Sequence, residues 1–114
     1  MIVKVIIKRD VVQGKESDFF HHLKSLRALA LNQRGYISGE TLIQMDSPSK
    51  VLVISKWESR KDWEAWKNKP QRNEVESILS TLQYNETVYE SYVFKKWYAA
   101  ADLGFPPPLQ KIEI

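Results

Sequence analysis

His22 is the side chain of this chain best suited to proton transfer, because imidazole gains and loses a proton near neutral pH. Apolar residues at helical spacing predict a helix over residues 15–34, with one stripe formed by Phe19, Leu23, Leu26, Leu29 and Ala30. His22 lies on the edge of that stripe and is predicted to act as a general base, whereas His21 points to solvent. The alternative is a structural histidine that hydrogen-bonds to backbone or water.

A second pair of candidate catalytic residues follows Pro70. The proline breaks a helical pattern, which restarts at Gln71. Arg72 and Asn73 therefore lie in the first turn of a new helical piece. The N-terminal end of a helix can hold an anion or an enolate oxygen, so these two residues are candidate oxyanion partners. The alternative is an ordinary solvated first turn.

Three tryptophans fall within ten residues, at Trp57, Trp63 and Trp66. Trp63 and Trp66, together with Phe19 and Tyr36, are predicted to line a site for a small apolar or aromatic ligand. The alternative is that these rings fill the space between a helix and the sheet. Trp57 ends a predicted strand and is expected in the core or in an interface.

Composition argues against several other kinds of site. The chain has no cysteine, so disulfides and thiolate metal sites are excluded. The two histidines are adjacent on a helix and point about 100° apart, which prevents them from sharing one ion well. All four glycines are isolated, so no phosphate-binding loop or dinucleotide fingerprint is present. We therefore predict no metal and no cofactor.

Charge and hydropathy limit the expected partners and location. The net charge is +3, but basic and acidic residues are interleaved and no basic block occurs, so nucleic-acid binding is not expected. The apolar run over residues 2–7 is too short for a membrane span or signal peptide. With no cysteine to suggest an oxidising compartment, we expect a cytoplasmic protein without a membrane partner.

Residues 1–95 are predicted to form one α+β domain. Strands are predicted over residues 2–9, 36–46, 50–58 and 86–94, and helices over 15–34 and 59–83, the second split at Pro70. Ser59 is the expected N-cap of that second helix. The order β-α-β-β-α-β predicts a ferredoxin-like fold, an antiparallel sheet with strands one and three central and both helices on one face.

The other face of this sheet is predicted to be apolar as well. It would carry Ile2, Ile6, Leu42, Leu52 and Ile54. Antiparallel sheets that face water usually alternate cleanly, and a contiguous apolar patch usually binds a partner. We therefore predict a homodimer that forms through the open sheet face.

Residues 96–114 are predicted to be a C-terminal extension outside the domain. Trp97, Tyr98 and the alanines that follow favour one short helix. The three consecutive prolines after Gly104 favour an extended, polyproline-like segment. A tail this apolar is expected to dock on another surface, and the partner subunit is the simplest one.

The step Trp57-Glu58-Ser59, followed by Trp63 and by Trp66 before a proline, resembles the antibiotic biosynthesis monooxygenase superfamily on this βαββαβ frame. The resemblance covers the four strands and two helices but not the tail. It implies a dimeric α+β barrel with a pocket in each subunit between helices and sheet. Members of that superfamily include cofactor-free oxygenases of aromatic polyketides, haem-degrading enzymes, isomerases and proteins without known activity.

The haem-degrading branch of the superfamily can be compared residue by residue. It has an Asn on the first strand, a Trp on the second helix and an iron-binding His ten residues after that Trp. Trp66 matches the tryptophan, but Glu76 stands at the histidine position and Lys8 lies near the asparagine position. The resemblance therefore does not extend to haem degradation.

Two functions from different classes follow. In the first, the protein is a small-molecule enzyme, such as a cofactor-independent monooxygenase of an aromatic or enolisable substrate. His22 would be its base, Trp66 the pocket wall, and Asn73 or Arg72 the oxyanion partner. In the second, it is a non-catalytic dimer that binds a small molecule or a protein. An RNA-binding sheet is disfavoured because strand one offers no aromatic side chain.

Overall fold

A computed structural model of the chain describes residues 1–96. The strands are β1 (Val3–Asp10), β2 (Tyr36–Ile43), β3 (Lys50–Trp57) and β4 (Val88–Val93), and the helices are α1 (Glu16–Ala30), α2 (Arg60–Lys67) and α3 (Pro70–Ser80). The strands form one antiparallel sheet in the order β2-β3-β1-β4, with β1 and β3 central. The predicted ferredoxin-like α+β fold is confirmed.

The break between α2 and α3 arises as the sequence predicts. Ser59 has extended backbone and its Oγ accepts a hydrogen bond from the backbone N–H of Asp62 at 3.1 Å, which caps α2. Pro70 occupies the first turn of α3, where its missing N–H is not needed, and Lys69 before it is extended. One strand therefore leads directly into two short helices.

Several element bounds differ from the predicted ones, and the second predicted helix ends at Ser80 rather than at residue 83. Helix α1 ends at Ala30 rather than at residue 34, because Leu31 to Gly35 form turns instead of a last helical turn. Gly35 therefore does not cap the helix but leads into β2 with a positive φ of 80°. Strand β2 ends at Ile43 and β4 begins at Val88, so both are shorter than predicted.

The core lies between the helices and one face of the sheet. Val3, Val5 and Ile7 alternate along β1 and are buried, as the sequence predicts. Buried residues of α1, such as Phe19 and Leu23, belong to the same cluster. The opposite face is uncovered in the single chain and contains the predicted apolar patch, in which each residue is half-buried or exposed.

The predicted tail helix near Trp97 and the proline-rich segment beyond it lie outside the described residues. Within residues 1–96, no helix is both long enough and apolar enough to cross a membrane.

Candidate functional site

A cavity lies between the helices and the covered face of the sheet, with its mouth beside the edge strand β2. Its lining comes from five elements and consists of Ile7, Arg9, Leu23, Leu26, Arg27, Ala30, Tyr36, Gly39, Thr41, Val53, Ser55, Trp57, Trp63 and Trp66. The cavity volume is about 50 Å³, and with its open mouth the empty space is about 460 Å³. The closed part has room for a few water molecules, and a larger ligand has to occupy the mouth.

One wall of the cavity is built from three indoles. Trp63 and Trp66 are three residues apart on α2 and therefore face the sheet together, where they meet Trp57 at the end of β3. The Trp57 ring stacks on Trp66 with centroids 6.5 Å apart and lies 5.9 Å from Trp63. Tyr36 packs edge-on against Trp57 at 5.3 Å. The wall is apolar, with Trp57 and Trp66 within 25° of parallel and Trp63 tilted by 56° from Trp57, and such aromatic surfaces suit contact with an aromatic molecule.

Ser55 adds a polar group to this wall. It lies two residues before Trp57 on β3, so both side chains point to the same face of the sheet. The indole Nε1 of Trp57 donates to Ser55 Oγ at 3.1 Å, and both residues are buried. Because the serine oxygen accepts this bond, its own hydrogen is free to donate into the cavity.

Arg27 is the cavity residue that the sequence analysis missed. Its Nη2 atom is buried and has no hydrogen-bond partner among residues 1–96. The sequence did indicate that Arg27 lies near the core. It follows Leu23 by four residues, about one helical turn, and therefore borders the apolar stripe of α1. Charged residues next to a buried stripe are usually paired, and here the described residues offer no partner.

Gly39 keeps the mouth of the cavity open. Strand β2 has a register irregularity between Tyr36 and Ser38, and Gly39 follows it. A methyl group on Gly39 would lie 2.5 Å from Tyr36 Oη and 3.3 Å from Arg27 Nη2. The absence of a side chain at this position therefore leaves room for both polar groups.

The residues with predicted catalytic roles lie away from this lining. His22 is half-buried, and its ring sits 5.3 Å from that of the exposed His21. Asn73 is exposed on α3. Arg72 does not line the cavity but is buried next to its wall, in a cluster of charged residues, with its Cζ 5.8 Å from the centroid of the Trp63 ring. Of the predicted ligand-binding residues, Trp63, Trp66 and Tyr36 line the cavity, whereas Phe19 is fully buried behind it.

That charged cluster joins Arg9, Arg72 and Glu76. Both arginines donate to the Glu76 carboxylate, Arg9 through Nη1 at 3.0 Å and Arg72 through Nη2 at 3.2 Å. Arg72 Nη2 also donates to the hydroxyl of Tyr89. Glu76 stands where the haem-degrading branch has its iron ligand, and here both of its oxygens are held by arginines. Among residues 1–96 there is no group of three potential metal ligands.

A second groove, of about 530 Å³, lies at one end of the uncovered face. It is lined by Lys8, Arg9, Asp10, Leu42, Ile43, Gln44, Lys50, Val51, Leu52, Asn85, Glu86 and Val88. Charges of both signs alternate with apolar side chains there, and no indole contributes. The groove is therefore continuous with the apolar patch rather than with the tryptophan wall.

Comparison with known proteins gives one family match. Residues 2–75 match the family model described as Antibiotic biosynthesis monooxygenase. A curated relative, the 42.8 kDa protein in the whiE locus of Streptomyces coelicolor, is 25% identical over 79 residues, which are 69% of this chain. The chain spans only 20% of the length of that relative.

Solved structures share the fold at low identity. A conserved protein from Methanosarcina mazei superposes with a TM-score of 0.79 at 21% identity, covering 83% of this chain and 94% of that one. SnoaB, described as a cofactor-independent oxygenase from Streptomyces nogalater, gives 0.75 at 14% identity, covering 84% and 95%. Rv0793 from Mycobacterium tuberculosis gives 0.76 at 12% identity, covering 87% and 100%.

Proposed function

This chain belongs to the antibiotic biosynthesis monooxygenase family, and we propose that it is a small-molecule enzyme that oxygenates an aromatic or enolisable substrate without a bound cofactor. The observation that carries the proposal is the cavity, which combines an indole wall with Arg27 Nη2, a buried donor that has no partner among residues 1–96. Its fold is shared with SnoaB, a cofactor-independent oxygenase. The family match supports oxygenation as the reaction, and the apolar cavity supports an aromatic or enolisable molecule as the substrate.

The substrate itself supplies the electrons in this proposal. An activated CH₂ group next to a carbonyl loses a proton, and the resulting enolate reacts with O₂. One oxygen atom is retained as a new carbonyl, and the other leaves as water with the two hydrogens of the CH₂ group. Ser55 can donate to the enolate oxygen, and the indole wall keeps water away from the reacting carbon.

The route of the proton follows from the lining. Among the described residues that line the cavity there is neither a carboxylate nor a histidine. The proton therefore leaves to water at the mouth instead of to His22. Catalysis then rests on stabilising the ionised substrate, and Arg27 is the lining cation that has an unpartnered donor and no carboxylate partner among residues 1–96.

We also propose that the uncovered sheet face is buried against a second copy of this chain. Ile2, Leu42 and Tyr92 are each more than two-fifths exposed on that face, an unusual amount for a sheet surface. Charges of both signs lie among them, as in the ion pair between Lys8 and Glu90 at 3.1 Å. A two-fold axis can therefore place lysines of one copy against glutamates of the other.

A non-catalytic binding module is the alternative, and the small closed volume favours it. The enclosed 50 Å³ is about a third of the roughly 150 Å³ apolar cavity known to take benzene. If the indoles do not move, only the mouth is available to a ligand. Such a protein would bind an aromatic molecule at its surface and release it unchanged.

Oxygen uptake separates the two functions. The purified chain, treated with a chelator, is mixed with a panel of quinols and polyketide-type polyphenols in an oxygen electrode. We expect one O₂ consumed per product with at least one member, and loss of uptake after heat denaturation. Saturable binding without uptake across the panel supports the binding module. If no member of the panel binds and none causes O₂ uptake, that result would contradict both functions.

A further inference from the structure

We propose that Arg27 is an anion-binding subsite at the cavity mouth, and that the natural ligand carries a carboxylate beside its aromatic or enolisable part. This inference rests on the proposed function, because it takes the cavity as the place where the small molecule binds. It adds the chemical class of that molecule and the residue that selects it. Three features of the cavity support it: the unpartnered donor of Arg27, the balance of charges in the lining and the shape of the mouth beside Gly39.

The unpartnered charge is the first observation. A buried donor without an acceptor destabilises the fold, and more so when it is charged. Nη2 of Arg27 is such a donor within residues 1–96. Arg34, a few residues along, shows the ordinary behaviour, because its side chain is 96% exposed and faces Asp62 at 4.0 Å. Arg27 itself is half-buried, but its buried Nη2 lacks an acceptor within the described part of the chain, and a bound ligand can supply one.

The balance of charges gives the sign of that acceptor. Two arginines line the cavity, and the described lining has no carboxylate. The charge of Arg9 is balanced by Glu76, to which it donates two hydrogen bonds. Arg27 has no such counterion among residues 1–96. The cavity mouth is therefore positive, and an anionic ligand group lowers the cost of burying Arg27.

The shape of the mouth indicates which anion fits. Tyr36 Oη and Arg27 Nη2 approach the same point above Gly39, where the missing side chain leaves them space. No acceptor for the Tyr36 hydroxyl is found among residues 1–96, so it is a second donor beside the guanidinium. A carboxylate can accept one hydrogen bond from the guanidinium and one from the tyrosine hydroxyl, and the charge-assisted bond to the arginine is the stronger of the two. The rest of the ligand then occupies the open mouth of the cavity.

The test compares two ligands that differ only in charge. 2-Naphthoate and 2-naphthamide are titrated into ¹⁵N-labelled full-length protein, and binding is followed through the indole N–H signals. We expect wild type to bind the carboxylate at least about tenfold more tightly than the amide, because a hydrogen bond between two charged groups is stronger than one to a neutral amide. Arg27→Gln is expected to abolish that preference, and Arg27→Lys to keep part of it. Arg34→Gln, the surface control, is expected to behave as wild type.

The outcomes distinguish this inference from the proposed function. If both compounds bind equally to wild type, or if Arg27→Gln retains the preference, the subsite is wrong while the aromatic site stands. If neither compound binds, the aromatic site fails, and the subsite fails with it. A preference that disappears only in the Arg27 variants supports both.

Stability without ligand gives an independent readout. Arg27→Met keeps the length of the side chain but removes the buried charge that lacks a partner. We expect this variant to unfold at a higher urea concentration than wild type, as sites shaped for binding often cost stability. A clear loss of stability would mean that Arg27 has a structural role and would overturn the subsite.

Discussion

Arg9 at the end of β1 and Glu76 on α3 are 67 residues apart in the chain, yet Arg9 Nη1 donates to Glu76 Oε2 at 3.0 Å. The arginine side chain is 1% exposed and the glutamate 14%. Arg72, one turn before Glu76 on the same helix, donates to the same carboxylate. The carboxylate thus lies between two buried guanidinium groups and holds α3 on the end of the sheet.

Glu76→Gln is therefore expected to destabilise the fold by about 3 kcal/mol or more, because it leaves two buried cations without a counterion. Urea denaturation measures the change. Glu64→Gln is a matched control, since Arg60 and Glu64 form the same i,i+4 pair at 2.9 Å but are 78% and 54% exposed. The control should lose less than about 0.5 kcal/mol. If Glu76→Gln and Glu64→Gln lost equal stability, burial would not increase the contribution of the Glu76 cluster to the free energy of unfolding.

Gly39→Ala is expected to narrow the cavity mouth. The new methyl would meet Tyr36 Oη and Arg27 Nη2, so 2-naphthoate should bind about tenfold more weakly, as for one misplaced methylene in a pocket. Gly14→Ala is the control: its φ of 88° strains an alanine, but nothing lies within 4 Å of its methyl. It should lose about 1 kcal/mol of stability and keep its affinity. Unchanged binding by Gly39→Ala would place the ligand elsewhere.

Ser55→Ala is expected to cost about 1–3 kcal/mol, because the indole N–H of Trp57 then stays buried without its acceptor. Chemical denaturation followed by tryptophan fluorescence reports the loss. Ser91→Ala removes the same hydroxyl from an exposed strand position and should change stability little. A similar small change in both variants would show that the Trp57 N–H finds another acceptor, such as water in the cavity.

Ile54→Asp is expected to convert a dimer into a monomer. Ile54 lies at the centre of the uncovered face, opposite Ile6 in the strand register, and a carboxylate there opposes burial against a second copy. Light scattering coupled to size exclusion measures the mass, and circular dichroism checks the fold. Ala65→Asp, on the exposed side of α2, should leave the mass unchanged. A monomeric wild type, or a dimeric Ile54→Asp, would contradict the proposed interface.

Local sequence determined the elements and their order. The alternation of Val3, Val5 and Ile7 sets the buried face of β1, and the spacing of Trp63 and Trp66 sets the inner face of α2. Ser59 marks the start of α2 because its hydroxyl accepts a backbone hydrogen bond, and Pro70 marks the start of α3 because it lacks a backbone N–H. These signals are short-range, because backbone hydrogen bonding and side-chain periodicity act within a few residues.

The family resemblance was also readable from the sequence, and so were the cavity residues Trp63, Trp66 and Tyr36, but not the polar residues of the lining. His22 and Asn73 were chosen for their chemistry and helical position, whereas the cavity opened beside α1 and β2, where Arg27 and Gly39 approach each other. That approach depends on how an edge strand passes a helix, and no local pattern encodes it. Arg72 likewise looked like an oxyanion partner until its neighbours were known.

The sequence by itself therefore determined which segments are strands and helices, which faces are apolar and what superfamily the chain resembles. Only the tertiary structure decided which charges are paired. Glu76 meets Arg9 across 67 residues, while Arg27 meets no carboxylate among the described residues. Whether a buried charge is balanced is a property of three-dimensional neighbours, since electrostatic energy depends on distance and burial and not on separation along the chain.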